Sequence, residues 1–145
     1  MRFMILVPAS KQSEAGQLPT EEQFREMGKF NEELVKAGVM LAGDGLHPSS
    51  KGARVVFEGG RKTVVDGPFA ESKELIAGFW IFQVKSKEEA VEWVKRAPFG
   101  KFGLERVAVE IRQLHDAADF AEVDPTGDLR KKEAELRATI EKQRH

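Results

Sequence analysis

The chain has 145 residues, enough for one domain to bury a core without metal or disulfide staples. Its 23 basic and 24 acidic residues leave a net charge of −1, which supplies no positive field for a phosphate backbone and argues against nucleic acid as a partner. The absence of cysteine removes disulfides, thiolate catalysis and cysteine-ligated zinc, and suits a cytoplasmic protein.

Met1 to Val7 reads as the first strand, with Phe3, Ile5 and Val7 on one face and Met4 and Leu6 on the other. This apolar run is too short to span a membrane and lacks the pattern of a signal peptide. After a polar loop, Thr20 and Gln23 form a capping-box pattern that opens a helix, and Gly38 supplies its stop. Phe24, Met27, Leu34 and Val35 form the apolar stripe expected of that helix, and Asn31 falls on the stripe as an internal hydrogen-bonding residue. "VMLAGDGLHPSS" reads as a second strand breaking into a Gly-, Pro- and Ser-rich loop. "ARVVFEGGRKTVVD" is a hairpin turning on Gly59-Gly60. In "GFWIFQVK", Phe79 and Ile81 alternate with Trp80, Phe82 and Val84. Ser86 with Glu89 repeats the capping-box pattern, and Ala90, Val91, Val94 and Ala97 carry a second long helix to Pro98. Val107, Val109 and Ile111 then alternate with Arg106, Glu110 and Arg112 as a strand with one wet face.

The order β-α-β, hairpin, β-α-β is a ferredoxin-like α+β plan, with both helices on one face of an antiparallel sheet. The first strand and the Phe79–Val84 strand are apolar on both faces. The face without helices would leave a large apolar patch in a lone monomer, so a homodimer is expected. The domain is expected to run over 1–115. Residues 116–145 form a linker and a charged helix with a thin stripe of Leu129, Leu136 and Ile140. Asp124-Pro125 fits its N-cap and first turn, and Glu133, Arg137 and Glu141 lie four apart along it.

Several chemistries lack their residues. No Gly-x-Ser-x-Gly elbow, Gly-x-Gly-x-x-Gly run or Walker pattern is present, and His47, His115 and His145 have no histidine at i+3 or i+4. No cofactor and no metal is expected. Acid–base chemistry remains. Asp44 and His47 lie three apart in a loop, where a carboxylate can orient an imidazole; Asp44-Gly45 also reads simply as a turn. Asp66 ends a buried-looking strand, where desolvation would raise its pKa and Arg54, Arg61 or Lys73 would lower it. It equally fits a turn-forming aspartate before Gly-Pro. Glu71, Lys73 and Glu74 are a solvated loop face or a lid over a pocket.

The stretch "DGPFAESKELIAGFWIFQVKSKEEAVEWVKRAP", with "AGVMLAGDGLHPSSKGARVVF" and the opening "MRFMILV", resembles the YCII-related family, in particular its DGPF-motif branch. The resemblance spans about Met1 to Arg112. It implies a ferredoxin-like fold pairing as a dimeric α/β barrel. For the wider family it implies a His–Asp pair in a cleft, and for some relatives elimination or isomerisation on lactone-like rings. It also implies an association with sigma-factor regulation. Here no histidine precedes His47, so the family's dyad does not transfer as it stands. One expectation is therefore a small-molecule cleft near Asp66 acting on a small anionic or lactone-like substrate. In it Asp66, His47 and Asp44 are the catalytic candidates, and Arg54, Glu71 and Lys73 the substrate-binding ones. The other expectation is a non-catalytic dimeric module that binds a ligand or a protein.

Overall fold

A computed structural model describes residues 1–104 and 106–144, so His145 lies outside the described residues. The chain divides into two compact units, Met1–Gln113 and Leu114–His145.

The first unit runs β1 (Arg2–Pro8), α1 (Lys11–Glu14), α2 (Glu21–Lys36), β2 (Met40–Gly45), β3 (Ala53–Glu58), β4 (Arg61–Asp66), β5 (Ile76–Gln83), α3 (Lys87–Lys95) and β6 (Glu110–Gln113). Four strands form an antiparallel sheet in the order β2-β5-β1-β6, and β3 and β4 form a separate two-stranded ribbon. This is the ferredoxin-like α+β fold. Each long helix connects strands that follow one another in sequence but are not adjacent in the sheet: α2 leads from β1 to the β2 edge, and α3 from β5 to the β6 edge.

Side-chain alternation on the two central strands builds the core. Phe3 and Ile5 from β1, with Trp80 and Phe82 from β5, point to the helix side and are buried with Phe30 and Leu34 of α2 and Ala90 of α3. Met4, Leu6, Phe79 and Ile81 occupy the opposite face and are only half-buried. On α2 the apolar stripe is rotated from the expected one. Phe30 is the buried aromatic, whereas Phe24 is 72% and Val35 63% exposed. A stripe drawn through Leu34 at i and i−4 passes through Phe30, and Phe24 falls off that line by more than a quarter turn.

Both helix starts use the expected serine and threonine. Thr20 and Gln23 cap α2 reciprocally. At α3 the Ser86 hydroxyl accepts the Glu89 amide, but the Glu89 carboxylate reaches past the cap to the Lys85 amide at 2.8 Å. The last strand is shorter than its pattern: Val107 and Val109 precede β6, and only Glu110–Gln113 pair with β1.

In the second unit α4 spans Asp128–Gln143. Its N-cap is Gly127, and Asp124 acts from outside the helix rather than as the cap itself. Asp124 accepts the amides of Leu129 and Arg130 and pairs with the Arg130 guanidinium at 3.0 Å. Burial pushes its carboxyl up, and the Arg130 and Leu129 donors together more than reverse that, leaving it below its ordinary value. Arg137 pairs with Glu133 at 3.3 Å on the exposed side of α4.

Candidate functional site

The end of the sheet where β2 meets β5 carries a cleft of about 470 Å³. Its wall is Trp80, fixed by three contacts. The indole N–H donates to Asn31 Oδ1 at 2.9 Å, Phe30 packs edge-on at 5.5 Å between centroids, and Phe99 does so at 6.3 Å. Asn31 therefore makes the internal hydrogen bond its place on the helix suggested, and it also lines the cleft. Gly43 leaves room for this packing, because a Cβ there would stand 2.6 Å from Trp80 Cδ1 and 2.7 Å from Met40 Cε. Alternation puts Gly43 on the helix side with Trp80, and Asp44 on the other side with its register partner Phe79. All four residues line the cleft at this end of the sheet, where Asp44 is exposed. A second hollow of about 480 Å³ shares Pro19, Phe24 and Met27 with it and continues toward Leu18 and Leu104.

Of the six residues singled out in the sequence, Asp44 alone lines this cleft. His47 follows β2 and Asp66 ends β4, and both are exposed. Among the described residues no hydrogen bond or ion pair joins His47 to Asp44 or Asp66. The burial expected for Asp66 is absent because the β3–β4 ribbon is open on both faces. Glu71 and Lys73 are exposed, in and beside a short 3-10 turn. Arg54 is exposed too, with its guanidinium 3.8 Å above the ring of Phe69.

The Asp66-Gly67-Pro68-Phe69 turn instead forms a structural knot that sequence reading missed. Gly67-Pro68 is cis, and the Gly67 amide donates to the Gly52 carbonyl at 3.0 Å. A Cβ on Gly67 would overlap the Ser49 carbonyl, so the turn lies directly against that backbone. The Phe69 amide donates to Ser49 Oγ at 3.1 Å. The Ser49 hydroxyl donates in turn to Glu14 at 2.5 Å, and the Ser49 amide does so at 2.9 Å. The Ser49 hydroxyl and then its amide hold the half-buried Glu14 carboxyl below its ordinary value, against the opposing effect of burial. Glu14 and Ser49 are 35 residues apart, and no local spacing marks either of them.

Among the described residues no group of three or more His, Cys, Asp or Glu is placed to hold a metal ion. No helix among them is long and apolar enough to cross a membrane.

Residues 1–112 match the model of the YCII-related domain. The chain belongs to the YCII-related family. The matched stretch takes in β1 to β5, α2, α3, the cleft and all of β6 but its last residue, Gln113. An uncharacterised protein of Rhizobium meliloti (strain 1021) is 31% identical over 75 residues, covering 52% of this chain and 60% of that protein. The chain thus aligns with less than two thirds of that relative's length. Among solved structures, it is similar to 5-chloro-2-hydroxyhydroquinone dehydrochlorinase (TftG) from Burkholderia phenoliruptrix AC1100, in complex with 2,5-dihydroxybenzoquinone. That match has 20% identity and a TM-score of 0.42, covering 80% of this chain and 96% of that one.

Proposed function

We propose that this YCII-related protein binds a small, flat, largely apolar molecule in the Trp80–Asn31 cleft, with Asp44 as its proton-transfer group. The supporting observation is the cleft itself. Its volume of about 470 Å³ lies within the span of ligand pockets, roughly 300–1,000 Å³. Aromatic and aliphatic residues share the lining with Asp44, Asn31 and strand-end backbone, the usual balance of a site that orients an apolar ligand by a few polar groups. A carboxylate poised at an apolar wall can take a proton adjacent to a carbonyl and return it elsewhere, as elimination or isomerisation on a lactone-like or enol substrate requires. The lining includes no lysine or arginine among the described residues, which favours a neutral ring over an anion. Arg54 and Lys73, the expected anion-binding pair, are not part of this lining.

A second copy has a place in this reading. Met4, Leu6, Phe79 and Ile81 form an apolar centre on the helix-free face, and Phe79 also lines the cleft. A homodimer packed on that face would border the site and help to exclude water from it.

The test is a metabolite screen by thermal shift and calorimetry, followed by turnover assays on the binders. Ala77→Trp should plug the cleft and abolish binding. Asp44→Asn should keep binding within about tenfold while turnover falls by 10²–10⁴, the usual contribution of a positioned acid or base. Binding that survives Ala77→Trp would contradict the assignment.

A non-catalytic reading has its own support: all six candidates except Asp44 lie outside the cleft lining, and α4 exposes Leu129, Leu136 and Ile140. In that reading α4 is a protein-binding face, in sigma-factor or stress signalling. Leu136→Glu with Ile140→Glu would then abolish capture of the partner and leave small-molecule binding intact. Unchanged capture would discard it.

A further inference from the structure

Every residue of β3 and β4 is exposed, including Val55, Phe57 and Val64. A two-stranded ribbon standing alone is marginal in water, and its open edges are templates for another chain. The register decides which edge can be used. Gly59 and Gly60, at φ of 56° and 79°, close a two-residue turn, and the Gly67 amide donates to the Gly52 carbonyl at the far end of the ribbon. Hydrogen-bonded pairs between these points are therefore Glu58 with Arg61, Val56 with Thr63, and Arg54 with Val65. The backbone groups of Lys62, Val64 and Asp66 consequently face outward from β4, and those of Ala53, Val55 and Phe57 outward from β3.

Two identical strands that pair antiparallel about a two-fold axis must set one residue opposite itself, because that axis keeps each side chain on its own face of the sheet. On β4 the central outward residue is Val64. Pairing there puts Lys62 opposite the partner subunit's Asp66 and Asp66 opposite the partner subunit's Lys62. Two opposite-charge pairs then flank a valine contact on one face. Among the described residues neither Lys62 nor Asp66 has an ion pair within its own chain. The β3 edge, centred on Val55, would set Ala53 against Phe57 and brings no opposite charges together. Its Arg54 is turned onto Phe69.

We propose that the β4 edge is a self-recognition surface, pairing antiparallel with β4 of a second copy of this chain in the register centred on Val64. The contact completes both open β4 edges as a four-stranded intermolecular sheet. It gives Asp66 a role as an interface carboxylate, and it is independent of pairing through the helix-free face of the main sheet. The Ser49–Glu14 knot at the base of the ribbon fixes the direction in which the edge is presented.

The cysteine-free chain permits single-site cross-linking. Val64→Cys treated with a short bismaleimide should give a covalent dimer, at several times the yield of Val55→Cys on the other edge. Adding Lys62→Asp to Val64→Cys should cut that yield several-fold, and adding both Lys62→Asp and Asp66→Lys should restore it, since the swap re-forms the pairs. Circular dichroism of each variant checks that it is folded. Absent linking at Val64→Cys in folded protein, preferential linking at Val55→Cys, or a charge swap without rescue would each overturn the proposal.

Discussion

The four-stranded sheet and the β3–β4 ribbon are made of the same kinds of residue and meet opposite fates. On β5, Trp80 and Phe82 are buried under helices of their own chain. On the ribbon, Val55, Phe57, Val64 and Val65 stand in solvent. Both patterns meet the requirements of a strand, since β-branched and aromatic residues suit a pleated surface. The difference lies in what each edge and face can reach. The sheet closes over α2 and α3 within one chain, whereas the ribbon stands apart from that sheet and ends in a tight glycine turn. Apolar strand residues therefore report that burial is wanted, and not by which molecule.

The sharpest way to break this contrast is in the core. Phe82 is fully buried, so Phe82→Ala should cost about 3–5 kcal/mol in chemical denaturation. A loss below about 1 kcal/mol would mean that the sheet's helix face is not the stabilising centre. At the knot beneath the ribbon, Gly67→Ala must displace the Ser49 backbone and should cost about 1–3 kcal/mol, read in the same assay. Unchanged stability there would show that the turn does not lie against Ser49.

Glu14→Gln gives a smaller, pH-dependent effect. The folded-state pKa of Glu14 is depressed, so its contribution is present above the unfolded carboxylate pKa and lost as pH falls through the lower folded value. The variant should melt below wild type at neutral pH, and the two curves should converge in acid, below the ordinary carboxylate range. A gap that widens in acid would contradict the Ser49–Glu14 bonding. Smallest of all, Val64→Asp should change single-chain stability by no more than about 0.5 kcal/mol because the side chain is 65% exposed, while removing self-association through β4.

Much of the scaffold was legible because it is local. Thr20 and Gln23 announce α2, Gly59-Gly60 announces the hairpin, and alternation in "GFWIFQVK" separates the Trp80 face from the Phe79 face correctly. What failed involved geometry that no local spacing encodes. The α2 stripe could be drawn through Phe24 or Phe30, and only packing on Trp80 selects Phe30. Asp124 serves α4 from outside the helix because Gly127 takes the cap in a left-handed conformation. The candidate site followed the same rule. Asp44 reached the cleft because β2 runs to its edge, whereas Asp66 looked buried only because its strand is apolar. The knot was invisible because Glu14, Ser49 and Phe69 are ordinary residues until the fold brings three separate segments together.

Amide hydrogen exchange along β4 tests the contrast between the two regions most directly. Pairing with a second copy protects the outward amides of Lys62, Val64 and Asp66 as well as the inward amides of Arg61, Thr63 and Val65, and the outward protection fades on dilution while that of β5 does not. If the outward amides exchange as freely as unpaired backbone at every protein concentration, the ribbon is a lone element and the β4 self-recognition surface does not exist.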